Sequence, residues 1–301
     1  MKTGMKSWMV CSGAAVALAV WSGAAWGTVV GGSLVNLQAG NNAGDPGVWS
    51  NNGSLGGAFN PRISTGAPVR GNDVDLTAYY DHTGGASWGD SAGSTVNIHL
   101  ESFTVESWIR PTAFPGGENQ IYALRAGNTR TSAGFRAVDG GERKWIQFEL
   151  NDTAGNRGFM RPTTGSALDI SPPMSLSPTQ NEWLHLAMTY QNATTSSAGD
   201  GVATVYSNGV QIVQASDLVQ YFSPTGDDFN LNTVGIQAHN ESPGRAFEGH
   251  YNTFRVYDSA LSQAQILQNF TTGPSLIPEP GTLALLSVGG LVLYLRRRRL
   301  Q

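Results

Sequence analysis

Acidic side chains are the first candidates for chemistry, because glycoside hydrolysis needs two carboxylates at a fixed separation of about 5–5.5 Å or more. On one strand, that geometry requires acids two or four positions apart, on the same face. Glu101 and Glu106 are five positions apart, and Glu142 and Glu149 are seven apart, so each pair falls on opposite faces of a regular strand. A glycoside hydrolase is therefore the disfavoured alternative, and we expect no catalytic residues.

Large aromatic residues in a polar, glycine-rich stretch suggest a different chemistry. Tyr79, Tyr80 and Trp88 lie within residues 79–93, which we predict to be a loop. Sugars dock on exposed aromatic rings that are edged by amides and carboxylates, because a ring combines an apolar face with polar neighbours. We predict that these three residues bind carbohydrate. The alternative is that Trp88 plugs one end of the protein core.

Several other classes of site are disfavoured. The five histidines are scattered without the spacing of metal ligands, and His185 is expected to be a structural or surface residue. They are His82, His99, His185, His239 and His250. The chain carries a formal net charge of -4 and lacks a basic run outside its last residues, so nucleic-acid binding is not expected.

The sequence predicts that strands carry these residues. Glycine accounts for 38 of 301 residues and charged residues for only 13%, which is typical of a turn-rich β protein. Residues 103–110 and 183–190 alternate apolar and polar side chains, and Asn208-Gly209 predicts a two-residue hairpin. Residues 72–80 also alternate and predict one strand. Ten to twelve such strands predict an all-β, two-sheet sandwich.

One short helix is predicted after the last strand. Ser262 and Gln265 have the spacing of a capping box, and Leu261 and Ile266 have that of a hydrophobic staple. We expect this helix to cover an open end of the core.

Both ends of the chain read as targeting segments. Lys2 and Lys6 precede an apolar stretch over residues 8–20, and small residues follow, which predicts a signal peptide over residues 1–27. A retained membrane anchor is the alternative. Cys11, the single cysteine, lies inside this segment, so the mature protein would have no disulfide.

The other end combines the motif Pro278-Glu279-Pro280, an apolar run over residues 282–295 and a basic cluster of four arginines at 296–299. It resembles the PEP-CTERM sorting signal of Gram-negative bacteria, with an export route that ends at the cell surface or in the extracellular matrix. The resemblance implies processing by an exosortase after transient insertion in the inner membrane, and a plain tail anchor is the alternative. Loss of both ends would lower the net charge from -4 to about -9. The motif residues are Pro278, Glu279, Pro280, Arg296, Arg297, Arg298 and Arg299.

Four segments, in order, resemble the laminin-G-like, concanavalin-A-like jelly roll. They are residues 103–111, 182–190, 205–210 and 247–262. The resemblance implies one such domain over residues 28–273, followed by the sorting tail over residues 274–301. Many relatives carry two acidic residues in the last strand where this chain has Asn252 and Thr253, which puts a metal or charge-network role of that strand in doubt.

The same resemblance predicts a calcium site built from loop oxygens, since Ca²⁺ takes six to eight oxygen ligands. The alternative is that the acids concerned are turn residues and solvated strand faces. The candidate ligands are Asp73 and Asp75, or Asp227 and Asp228 with Asn230.

Three functions remain open at this point. The sequence favours an exported, non-catalytic protein of the cell surface or exopolysaccharide matrix that binds glycan through its laminin-G-like domain. The first alternative is a purely structural matrix protein that self-associates. The second is the disfavoured glycoside hydrolase.

Overall fold

The structure is a computed structural model, and it describes fourteen segments of the chain between residues 29 and 274. They are residues 29–40, 48–61, 68–72, 78–82, 88–90, 97–113, 117–126, 131–139, 144–151, 157–160, 179–195, 199–218, 228–234 and 247–274. The predicted signal peptide lies outside these residues, and so does the predicted sorting tail apart from Pro274. No helix among the described residues is long and apolar enough to span a bilayer.

The described elements are seventeen strands and one helix. In chain order they are β1 (Val35–Gln38), β2 (Trp49–Ser50), β3 (Ala58–Pro61), β4 (Val69–Asn72), β5 (Ala78–Asp81), β6 (Trp88–Asp90), β7 (Asn97–His99), β8 (Phe103–Pro111), β9 (Gly117–Ala126), β10 (Thr131–Asp139), β11 (Lys144–Asn151), β12 (Arg157–Met160), β13 (Leu184–Gln191), β14 (Gly201–Ser207), β15 (Val210–Leu218), β16 (Asp228–Val234), β17 (Gly249–Tyr257) and α1 (Gln263–Thr272).

The strands form two antiparallel sheets, which confirms the all-β sandwich. The eight-stranded sheet has the order β15-β14-β13-β8-β17-β5-β4, and β1 also pairs with β17. The nine-stranded sheet has the order β12-β11-β10-β9-β16-β6-β3-β2, and β7 also pairs with β16. Strand β17, late in the chain, therefore lies in the middle of the eight-stranded sheet between β8 and β5.

The core lies between the two sheets and is built from the apolar face of each strand. Val105 and Ile109 of β8 and Phe254 of β17 are fully buried in it, as their alternation predicts. Tyr251 of β17 donates its hydroxyl hydrogen to the backbone oxygen of Ile121 in the opposite sheet. This bond satisfies the polar end of a buried ring and joins the two sheets.

The hairpin between β14 and β15 confirms the Asn-Gly prediction. Asn208 and Gly209 both adopt positive φ, 50° and 75°, which is the backbone of a type I′ turn. Asn208 also accepts the backbone hydrogen of His185 through its side-chain oxygen at 3.0 Å. The turn thereby fixes the register of β14 against β13.

The helix begins as predicted but covers a different surface. Ser262 caps it, the reciprocal Gln265 bond is present, and Leu261 and Ile266 are both buried. The helix packs on the outer face of the eight-stranded sheet, where Phe270 stacks on Trp108 at 5.6 Å between ring centroids. The expectation that it closes an open end of the core is wrong. The apolar side of the helix packs instead on apolar side chains that β8, β13, β14 and β17 present on the outer face of the sheet.

Two other strand predictions need correction. Residues 72–80 do not form one strand, because β4 ends at Asn72 and β5 begins at Ala78, and the two pair antiparallel. The predicted loop over residues 79–93 contains the end of β5 and all of β6. Alternation over residues 72–80 is compatible with one continuous strand, so it could not reveal that the chain changes direction between β4 and β5.

Candidate functional site

A row of polar and aromatic side chains crosses the outer face of the eight-stranded sheet. Arg110 of β8 pairs with His250 of β17, and His250 pairs with Asp81 of β5, so the three lie side by side on neighbouring strands. They face outward because the residues next to them in sequence fill the core. We call this set, with Trp183 and Tyr79, the outer-face row.

Trp183 begins the row at its β13 end. It directly precedes Leu184, which pairs with Ile109, so Trp183 lies opposite Arg110. The guanidinium carbon of Arg110 lies 5.2 Å from the centroid of the Trp183 ring. Both side chains are only partly exposed. A cation over an aromatic face at this distance contributes about 0.5–1 kcal/mol at an exposed site and restricts the arginine.

Tyr79 stacks on the middle of the row. Its ring lies 3.9 Å from the His250 ring, with 1° between the two planes, and Arg110 approaches the same Tyr79 ring at 5.2 Å. Gly71 of β4 allows this placement, because a Cβ there would meet the tyrosine ring at 2.5 Å. The row therefore consists of planar groups held against one another.

His250 connects the cation to the carboxylate. Arg110 Nε donates to His250 Nδ1 at 3.1 Å, and Nη2 lies 2.5 Å from the same nitrogen. Since a guanidinium can only donate, Nδ1 is the acceptor and the hydrogen of a neutral ring is on Nε2. That nitrogen lies 3.6 Å from Asp81 Oδ1, and the side chain of Asp81 is 36% exposed.

A second polar cluster lies on the same face, under α1. Arg255 Nη1 of β17 donates to Glu106 Oε1 of β8 at 2.7 Å, and His185 Nε2 lies 3.5 Å from Glu106 Oε2. Asn269 of the helix donates to Glu106 Oε2 at 2.9 Å and to the Tyr257 hydroxyl at 3.1 Å. We call these five residues the helix-covered network.

The N-terminal segment closes the cover over this network. The backbone nitrogen of Val30 donates to Asn269 Oδ1 at 2.7 Å, and the Tyr257 hydroxyl donates to the Val30 oxygen at 3.4 Å. Asn36 of β1 accepts from Arg255 Nε at 3.1 Å. The two ends of the domain therefore meet over one buried ion pair.

The electrostatics of this network follow from burial and charge. Burial alone would raise the pKa of Glu106, but His185 and Arg255 lower it further than burial raises it, so the pKa is about 2 instead of 4.5. Burial, with the charge of Glu106 beside it, raises the pKa of Tyr257 above its ordinary value of 10. Glu106 is thus a fully buried group that is ionised at neutral pH, so it is unsuited to act as a general acid on an external substrate.

The structure separates the predicted carbohydrate-binding residues. Tyr79 lies in the outer-face row and is partly exposed. Tyr80 is fully buried and packs on Trp49 at 5.1 Å, so its predicted role at the surface is wrong. Neighbouring residues on a strand point to opposite faces, and only one of the two tyrosines can face outward. Trp88 lies in β6, and its side chain is outside the described residues.

The calcium prediction stays a prediction. Asp73, Asp75 and Asp227 lie outside the described residues, and Asp228 is the first residue of β16, opposite His99 of β7. Within the described part of the chain, no three His, Asp or Glu side chains form a group that could hold a metal ion.

Sequence reasoning missed most of the outer-face row. Of its five residues, the sequence predictions place only Tyr79 at a binding site, and His250 is among the five scattered histidines. Their shared face follows from alternation along each strand, but their adjacency depends on the pairing order β13-β8-β17-β5. The same order reveals that β17 does carry a charge network, through Arg255, although Asn252 and Thr253 are uncharged.

Comparison with known protein families identifies the superfamily of this fold. Residues 82–267 match the family described as the concanavalin A-like lectin/glucanases superfamily, Laminin_G_3. The chain belongs to this superfamily. Residues 276–299 match the PEP-CTERM protein-sorting motif, which indicates export and surface or matrix association. The search of curated proteins found no significant match.

Solved structures share the superfamily's fold at low sequence identity. Domain 4 of AbnA, an extracellular GH43 arabinanase of Geobacillus stearothermophilus in complex with arabinotriose, has a TM-score of 0.52 and 15% identity, over 79% of this chain and 97% of that one. The binding domain of botulinum neurotoxin DC in complex with SialylT has a TM-score of 0.49 and 11% identity, over 80% and 51%. This chain thus spans about half of the toxin domain. At 15% identity, the likeness to domain 4 of AbnA shows the fold alone, and the lower TM-score of the toxin domain supports no conclusion.

Proposed function

We propose that this is an exported, non-catalytic protein of the cell surface or exopolysaccharide matrix that binds carbohydrate through the outer-face row. The observation that carries the proposal is the stack itself, in which two partly exposed aromatic rings hold Arg110, with a carboxylate at the other end of the row. Rings contact the C–H faces of sugars, and the guanidinium and carboxylate edges bond to hydroxyl groups.

Three other observations support the proposal. The superfamily includes lectins by its description, and the structurally similar domain of AbnA is described in complex with arabinotriose. The sorting motif supports a signal peptide, transient insertion in the inner membrane and processing by an exosortase. The ionised, buried state of Glu106 supports a binding role over a hydrolytic one.

A glycan array on the full-length chain, purified in mild detergent, tests this function. We expect saturable binding that is strongly reduced by Arg110→Met, which removes the cation but keeps a long side chain. A matched array with and without Ca²⁺ tests the predicted aspartate sites. The Trp88→Ala variant tests the remaining predicted aromatic residue.

The outcomes separate the candidate functions. Loss of binding in Trp88→Ala but not in Arg110→Met would move the site away from the outer-face row. Absence of binding under every condition would favour the structural, self-associating matrix protein. Release of reducing sugar that a single Glu or Asp substitution abolishes would overturn the non-catalytic assignment.

A further inference from the structure

Among the side chains that the structure describes, Val69 is the most exposed large apolar one, at 68%. It lies on β4 directly opposite Asp81 of β5. Directly opposed residues of an antiparallel pair point to the same face, so Val69 stands on the outer face beside Asp81. A single exposed valine needs no explanation by itself, but this one is in register with the outer-face row.

The row therefore extends over five adjacent strands, β13, β8, β17, β5 and β4. Neighbouring strands lie about 4.8 Å apart, so the four steps from Trp183 to Val69 span about 19 Å. This distance is far longer than one sugar ring. The interstrand step of about 4.8 Å is also close to the length of one sugar unit in an extended glycan. His250 is buried beneath Tyr79, so the side chains that can contact a ligand along this line are those of Trp183, Arg110, Tyr79, Asp81 and Val69.

From this register, we propose that the outer-face row binds a neutral, linear glycan across the strands, along about four consecutive sugar units, with Val69 as the contact at one end. The inference rests on the proposed function and specifies its ligand class. The row is a line of side chains on a sheet surface. We therefore expect it to bind the middle of a glycan and not the glycan's terminal sugar.

Charge favours a neutral glycan over a polyanion. Arg110 is already engaged with His250 and two rings, and Asp81 lies within the row. The whole chain also has a formal net charge of -4, which opposes the approach of uronate or sulfated chains. The valine at the end of the row adds an apolar contact for a sugar face without adding charge.

A length series tests the inference on the full-length chain. The probes are linear β-1,4-glucan, β-1,4-xylan and arabinan oligosaccharides of two to six units, with the matching soluble polymers. We expect affinity for the bound series to rise at least tenfold from two to four units and then to level off.

Val69→Ser should weaken tetrasaccharide binding about fivefold, because it removes the apolar contact at one end of the row. Leu55→Ser is the matched control, because Leu55 is also an exposed apolar residue, at 43%, but lies outside the row. Both substitutions are at exposed positions, so neither should prevent folding.

The possible failures are distinguishable. Equal affinity for two and six units, equal effects of Val69→Ser and Leu55→Ser, or binding restricted to anionic or branched glycans would overturn this inference and leave carbohydrate binding intact. Absence of binding to any glycan on the array would remove the proposed function and this inference together.

Discussion

The helix-covered network and the outer-face row occupy the same face of the same sheet and use the same kinds of side chain. Each contains an arginine, a histidine, a carboxylate and a tyrosine, and both draw on β8 and β17. In the network, Arg255 and Glu106 have side-chain exposures of 3% and 1%, whereas Asp81 in the row is 36% exposed. The exposures differ because α1 and the N-terminal segment cover the network and leave the outer-face row uncovered.

This cover changes what the same chemistry can do. A buried ion pair cannot be separated without leaving a charge in a medium of low dielectric constant, so the network contributes to the integrity of the fold. In the outer-face row, His250 is 11% exposed but its partner Asp81 is 36% exposed, so water screens this pair more than the buried one and the carboxylate remains available to a ligand.

The largest effect is expected from Arg255→Met, which leaves Glu106 buried without its cation. We expect it to lower the free energy of unfolding by about 3–5 kcal/mol, measured by urea denaturation. Arg110→Met in the outer-face row is the matched control and should cost less than about 1 kcal/mol. Equal losses from the two variants would contradict the distinction between the two regions.

Acidification should destabilise the protein through Glu106. Its pKa is about 2 in the folded protein and 4.5 ordinarily, so its contribution is fully present above pH 4.5 and is lost as the pH falls toward 2. The shift corresponds to about 3 kcal/mol. The difference in urea stability between the wild type and Glu106→Gln, followed from pH 6 to pH 2, should shrink over that window. A constant difference would show that Glu106 does not carry this dependence.

Asn269→Leu should have an intermediate effect. Its amide bonds to Glu106, Tyr257 and the backbone of Val30, so the substitution leaves several buried polar groups without a partner and should cost about 1–3 kcal/mol. Gln263→Leu, at an exposed position in the first turn of the same helix, should change stability by less than about 0.5 kcal/mol. Thermal or urea unfolding of both variants measures the two stability losses. Equal losses would contradict the role of Asn269 in the helix-covered network.

Trp183→Ala should have the smallest effect on stability and a clear effect on binding. Its ring is partly exposed and its contact with Arg110 accounts for about 0.5–1 kcal/mol. We expect glycan affinity, measured by calorimetry, to fall about tenfold or more, equivalent to about 1.4 kcal/mol. Loss of stability comparable to that of Arg255→Met would place Trp183 among the structural residues instead.

Much of the fold was predictable because its determinants are local. The alternation of β8 and β13, the Asn208-Gly209 turn and the capping box before α1 are each encoded within a few residues, and the structure confirms all of them. The motifs that resemble the superfamily and the sorting signal are likewise contiguous, and both are matched.

The sites depended on pairing that no local pattern contains. Whether Tyr79 or Tyr80 faces outward is set by the register of β5 against β17, and a shift of one residue would exchange them. Arg110 and His250 are 140 residues apart in the chain yet lie on adjacent strands. Glu106 and Arg110 are on the same face of one strand, and only the position of α1 decides which of them is buried. Local residue patterns thus encode the strands, the turn, the helix cap and the sorting motif. Which polar groups are buried and which face solvent depends on strand pairing and on the position of α1, because burial is a property of the assembled sheets.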